Sequence, residues 1–158
     1  MLPGHKWLRA DTGRYIPGGR FLRVRRQLVT TPLFLREGNL VPFQPGERTT
    51  NRKDLKHIGL LCCLFPEFSG RARLFYRADD RLSFDYRRGR RTRLDVTARI
   101  KGRRLHLRVK TIAEGLGRVH LVPFSVNRFT ALHLENDGRE QRLHPIKERA
   151  QLAGRPFD

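Results

Sequence analysis

The sequence predicts an all-β chain: two consecutive small antiparallel β-sandwich units with one short C-terminal helix. Three observations carry this expectation. Apolar runs are about three to eight residues long and bounded by Gly, Pro, Asn or Asp, which is strand length rather than helix length. Leu94 to Ile100 and Leu105 to Val109 alternate apolar and polar residues on either side of Lys101-Gly102. Turn formers recur every ~8–12 residues with no sustained helical period between them.

Taken in order, residues 1–45 form the proximal sandwich portion, short strands cut by Gly and Pro clusters, with Trp7, the only tryptophan, near the start. Within it Leu33-Phe34-Leu35 and Leu40-Val41 read as two strands around Arg36-Glu37-Gly38-Asn39. Gly38-Asn39 can take the positive φ angles of a tight reversal. Residues 46–57 are polar, include Pro45-Gly46 at their edge, and read as a linker. The distal sandwich, 58–143, opens with the continuous apolar run Ile58 to Phe65, whose strand must be covered on both faces. Ala72, Leu74 and Tyr76 then share one face of a strand, Asp79-Asp80 turns the chain, and Leu82, Phe84 and Tyr86 alternate as a further strand. The 93–110 hairpin follows, in which a bulged turn is allowed for because Lys101 suits a type I′ turn poorly. Val119–Phe124 and Phe129–Leu134 supply two more strands, the last closed by Asn136-Asp137-Gly138. In the tail, 144–158, Pro145 to Ala153 before Gly154 has the Pro-first, Gly-last pattern of a short helix.

Composition sets the partner classes. Lys plus Arg number 34 against 15 Asp plus Glu, a formal charge of +19. That balance favours polyanions such as RNA, or an acidic protein, although net charge alone says nothing of fold. No apolar run approaches the ~18–20 residues of a membrane helix, and the N-terminus lacks the order of a secretory signal. Cys62 and Cys63 are adjacent, which is no disulfide framework and no zinc pattern. On a strand they point to opposite faces and read as two small apolar fillers. An intracellular, reducing setting is expected.

Three motifs go further. Leu2-Pro3-Gly4-His5-Lys6-Trp7, Thr12-Gly13-Arg14-Tyr15-Ile16-Pro17-Gly18-Gly19 and Pro32-Leu33-Phe34-Leu35-Arg36-Glu37-Gly38 stand in this order and spacing. The series resembles glycoside hydrolase family 31, the α-glucosidases and α-xylosidases, in the β-sandwich region after their catalytic barrel. A more diffuse likeness continues through Asp79-Asp80, Phe84-Asp85-Tyr86-Arg87-Arg88-Gly89 and Asn136-Asp137-Gly138. The departures are Leu8-Arg9-Ala10 after Trp7, Arg81 after the acidic pair, and the arginine-rich surface. The resemblance implies a non-catalytic accessory piece whose partner is a catalytic barrel domain or another protein subunit. The family's catalytic carboxylates belong to the barrel, so none is carried over to this chain. The alternative is a basic structural protein that binds RNA or an acidic partner, as in a ribosome-like particle.

No cofactor or metal site is expected. Asp79 and Asp80 are the one adjacent carboxylate pair, and at a turn such residues bond backbone N–H groups. The six histidines show no i, i+4 or H-x-H pairing, and Gly115-x-Gly117 reads as a turn. The positive feature is the polar face of the 93–110 hairpin, where Arg93, Arg99, Arg104, Arg108 and Lys110 face the single acid Asp95. Like charges across strands repel, so these five are the candidate polyanion-binding residues.

Overall fold

The computed structural model describes residues 1–24, 32–44, 57–80, 83–115, 117, 119–143, 150–152 and 155–157. The early strands are β1 (Lys6–Arg9), β2 (Arg14–Pro17), β3 (Phe34–Arg36), β4 (Asn39–Phe43) and β5 (His57–Cys63). The middle of the chain supplies β6 (Arg71–Ala78), β7 (Thr92–Lys101), β8 (Arg104–Glu114) and β9 (His120–Ser125). Last come β10 (Ala131–Asn136), β11 (Arg139–Leu143), β12 (Ala150–Leu152) and β13 (Arg155–Phe157). They pair as β2-β1-β3, β4-β5-β9, β11-β10-β8-β7-β6 and β12-β13. The chain is all-β, as the short bounded runs predict.

β5 is the strand the layers share. Leu60, Cys62 and Leu64 turn to one side and pack with Leu40 and with the alternating Leu94, Val96 and Ala98 of β7 and Leu105, Leu107 and Val109 of β8. Leu61, Cys63 and Phe65 turn to the other side, against Leu8, Ala10 and Leu35 of the N-terminal sheet and Phe124 of β9. The result is a three-layer stack, with the small central sheet between the N-terminal sheet and the five-stranded sheet. Each large aliphatic side chain removed from water in this way is worth about 1.5–3 kcal/mol. Cys62 and Cys63 are free thiols, fully buried in opposite cores, so the two-filler reading is right. Burial pushes the Cys63 thiol up to about 12, which removes any nucleophilic role near neutral pH.

The motif stretches of the first 45 residues are explained by close backbone approach. β1 and β2 pair antiparallel, and Leu2 N–H donates to the Arg20 carbonyl (3.1 Å) while Gly19 N–H donates to that of Leu2 (2.8 Å). A Cβ on Gly18 would lie 1.8 Å from the Pro3 carbonyl oxygen, so only glycine fits there. The Trp7 indole N–H donates to the same carbonyl at 3.1 Å. The reversal after β3 falls on Glu37-Gly38, with Gly38 at φ +78°, one residue earlier than expected. β3 and β4 do not pair. Glu37 N–H bonds to the Lys6 carbonyl and Gly38 N–H to that of Cys63, so the turn carries the chain from one layer to the next.

Several expectations are corrected. The sandwich is not wholly antiparallel: β5–β9 and β8–β10 are parallel pairs, because β9 leaves the five-stranded sheet to lie beside β5 before the chain returns as β10. The expected strand through Leu82, Phe84 and Tyr86 is instead, over its described part, a 3₁₀ turn at Asp85–Arg88 closed by left-handed Gly89. The Asp80 carboxylate accepts from Ser83 N–H and Oγ, and Ser83 Oγ accepts from Asp85 N–H. Side-chain bonds of this kind draw the chain away from a ladder, and Phe84 is left exposed. The tail helix fails where it can be seen, since Ala150–Leu152 pairs with β13; a helix this short has little stability without packing. The remainder of Pro145–Ala153, up to residue 149 and at 153, lies outside the described residues. Most of the 46–57 linker does too. On its two sides, β4 and β5 are neighbours in one sheet.

Gly59 offers a test of the central layer. It stands opposite Phe43, and a Cβ there would come within 2.6 Å of the Phe43 ring, which leans on Phe124 at 5.4 Å. Gly59→Ala is expected to cost about 1–3 kcal/mol by overpacking, read as a lower denaturant midpoint at unchanged m-value.

Candidate polyanion-binding face

The five-stranded sheet buries one face and leaves the other open. Along β7 and β8 the buried residues alternate with Arg93, Asp95, Thr97 and Arg99, then Arg104, His106, Arg108 and Lys110. The hairpin between them turns on Gly102-Arg103, with Lys101 opposite Arg104 and Gly102 at φ +57°. A positive φ at the first of two loop residues is the type II′ pattern, so the bulge is not in the turn. It sits at the other end, where Ile112 has no partner between Thr111 and Ala113.

Register aligns side chains across the whole sheet. Arg71 of β6 stands opposite Arg99, Arg99 opposite His106, His106 opposite His133 of β10, and His133 opposite Arg142 of β11. This row crosses all five strands and contains no acid. With strands ~4.8 Å apart it is about 19 Å long. Its members line a depression of about 430 Å³, joined by Lys101 and Arg108. At its centre the two imidazoles stack, ring centroids 4.7 Å apart and planes 10° apart. Burial, then His133, then Lys101, Arg99 and Arg104 hold the His106 pKa below the ordinary value, which favours the neutral ring. His133 Nε2 is buried without a hydrogen-bond partner.

The neighbouring row is different. Arg73 gives a bidentate pair to Asp95 (2.9 and 2.6 Å), and Arg108 Nε meets Glu135 at 2.9 Å. Beside Arg73 the ring of Phe75 is 56% exposed, with the guanidinium 4.3 Å over its centroid. The hairpin's lone acid is thus already neutralised by β6.

The five sequence candidates therefore separate. Arg99 is in the all-basic row, and Arg108 lines the depression while paired to Glu135. Arg104 and Lys110 are exposed on the same face, outside the depression. Arg93 is half-buried opposite Arg77, its Nε without a partner. Among the described residues, no ion pair reaches Arg99, Arg104 or Lys110. Arg71, His133 and Arg142 were missed. Arg71 was within reach, because placing Ala72, Leu74 and Tyr76 inward puts it outward; the other two depend on long-range pairing that no local pattern reveals.

Asp95 gives a pH test. Its bond to Arg73, then that charge, and then Lys110 and Arg108 hold its carboxyl below the ordinary 3.8. The contribution is therefore present above the ordinary value and lost as pH falls through the depressed one. Asp95→Asn should lower the melting temperature slightly near neutral pH, and the two proteins should converge on acidification. The difference should shrink with salt, because Arg73 is exposed.

Elsewhere, Asp80 serves its turn as described, and Asp137 accepts from Thr111 N–H and Oγ, both at 2.7 Å. His57 and His120 stack at 5.2 Å on the parallel pair β5–β9. Among the described residues, no three His, Cys, Asp or Glu side chains gather as a cation site, and no helix is long and apolar enough to cross a membrane.

No family model matches the sequence, and no curated protein matches it. Solved structures do match the fold. A glycoside hydrolase family 31 α-xylosidase from Xanthomonas citri superposes with a TM-score of 0.57 at 17% identity, over 98% of this chain and 16% of that one. A family 31 dextranase of Flavobacterium johnsoniae matches in two structures, a mutant complexed with isomaltotriose and a form complexed with glucose. Each has a TM-score of 0.55 and 19% identity, over 65% of this chain and 13% of the dextranase. The chain thus has the fold of a small part of these enzymes.

Proposed function

We propose that this chain is a non-catalytic accessory β-sandwich region of an α-glucosidase-like protein, packing against a catalytic barrel that it does not itself contain. The observation that carries this is the asymmetry of coverage: nearly all of the chain superposes on about a sixth of the α-xylosidase. Exposed apolar side chains at the N-terminal end support it. Met1 and Phe21 are 76% and 83% exposed, with Tyr15 and Leu22 nearby in sequence and also open to solvent. The Leu2–Arg20 bridge brings Met1 opposite Phe21, and exposed apolar side chains of this kind favour a surface that another protein covers.

The role needs no chemistry from this chain. Asp79 and Asp80, the only adjacent carboxylates, lie at a turn, and Asp80 is bonded to Ser83. The purified chain should therefore not hydrolyse an aryl α-glucoside. Turnover that survives Asp79→Asn and Asp80→Asn would overturn the reading. A co-expressed family 31 barrel polypeptide should co-purify with the chain, and Phe21→Asp should abolish that complex without lowering the melting temperature.

A further inference from the structure

The barrel-facing reading gives no part to the open face of the five-stranded sheet, whose charge is arranged in an unusual way. Arg71, Arg99, His106, His133 and Arg142 are strand-to-strand neighbours in one unbroken row. Lys101 joins them in the same depression. Cross-strand like charges are destabilising, and a solvated face ordinarily relieves them by alternating signs. The residues beside the row do so, with Arg108 paired to Glu135 in the adjacent row and Arg73 paired diagonally to Asp95 in the next. Glu140 of β11, opposite Glu135, also borders the depression, but among the described residues no ion pair reaches Arg71, Arg99, Lys101 or Arg142, so the basic row is left without a bonded acid.

Two further observations bear on what would compensate it. Phe75 is 56% exposed on the same face of β6, with the Arg73 guanidinium over one side of its ring and the other side available. The His106–His133 stack adds a planar pair within the depression, one of whose ring nitrogens is buried and unpartnered. A phosphate-bearing strand uses both kinds of group: cations follow the backbone, and an open aromatic ring receives a base. An acidic peptide would use the cations only.

The geometry points to the open face of the β11-β10-β8-β7-β6 sheet as a binding site for single-stranded nucleic acid, the phosphates lying along the Arg71–Arg99–His106–His133–Arg142 row and a base stacking on Phe75. The contact is to backbone and ring face, so it has little sequence preference. Arg71, Arg99, Arg142 and Lys101 supply the fixed charge, and Arg108 stays committed to Glu135.

The test is fluorescence anisotropy of the full chain with a labelled oligouridylate about 16 nucleotides long. Binding is expected at roughly 50 mM salt, with a log–log salt slope near −3 for four neutralised phosphates. Arg99→Gln with Arg142→Gln should weaken it at least ~10-fold and reduce the slope by about 1.4. Phe75→Leu should weaken binding about 5- to 100-fold at unchanged slope, the signature of a lost base stack. Arg14→Gln with Arg23→Gln removes the same charge from exposed sites before β3 and should change little. All variants are exposed-site changes, and unchanged melting curves confirm that they fold. No binding at that salt would overturn the proposal. So would an equal loss in the Arg14/Arg23 control, or competition by polyglutamate as strong as that by unlabelled oligonucleotide together with no effect of Phe75→Leu. Hydrolytic inactivity bears only on the accessory role, so the two readings fail separately.

Discussion

Phe65→Ala is expected to lower the unfolding free energy by about 3–5 kcal/mol, the largest single effect of any side-chain truncation among the described residues. Phe65 follows the end of β5 and has no exposed surface. It packs with Leu8, Ala10 and Leu35 of the N-terminal sheet and with Phe124 of β9, and the Tyr15 ring meets it edge-on at 4.9 Å. Removing the ring takes away the largest fully buried body in that layer, and its backbone neighbours cannot close the gap. Leu64 directly before it offers its carbonyl to the Asn127 side-chain amide, which pins the backbone in place. Equilibrium denaturation followed by fluorescence of Trp7 reads the result, since Trp7 sits on β1, the strand whose Leu8 packs in the same cluster as Phe65. If Trp7 reported a separate early transition while far-UV signal did not move, the N-terminal layer would be a distinct cooperative unit.

What the sequence revealed and what it hid divide along one physical line. The 93–110 hairpin was legible because its information is local: a period of two, a glycine reversal, and one face apolar throughout. Cys62 and Cys63 were legible for the same reason, as adjacent residues on a buried strand. The motif glycines marked the fold but not its mechanism; Gly18 is needed because the Pro3–His5 backbone lies where its Cβ would be. Partner choice was hidden. His57 meets His120 and His106 meets His133 only through parallel pairings between strands distant in the chain. Nothing near any one of these histidines in sequence announces the other. Side-chain hydrogen bonding defeated the alternation rule at Ser83–Tyr86, where the Asp80–Ser83–Asp85 bonds outweigh the alternation of Phe84 and Tyr86. The candidate face was accordingly half-seen. Its hairpin arginines follow from alternation, whereas the row that crosses the sheet needs the strand order.

The three-layer reading of β5 has a consequence that separates its two faces. Leu60 is fully buried toward the five-stranded sheet, and Leu60→Ala should cost about 2–5 kcal/mol. Leu60 and Phe65 are five residues apart on an extended segment, about 16 Å, and they belong to different apolar clusters. Their truncations share no neighbour into which both cavities could collapse. The Leu60→Ala/Phe65→Ala double variant should therefore show the sum of the single effects within about 0.3–0.5 kcal/mol. Leu60 and Leu107 lie in the same cluster, from facing sheets. Once one is truncated the other can relax toward the space, so their double variant should depart from additivity by about 0.5–3 kcal/mol. Because these losses approach the whole stability of a small domain, the cycles are best measured in a stabilising osmolyte at constant composition, with m-values compared throughout. Additivity for Leu60/Leu107 and coupling for Leu60/Phe65 would mean that β5 does not divide two cores, and that Cys62 and Cys63 look into one continuous interior.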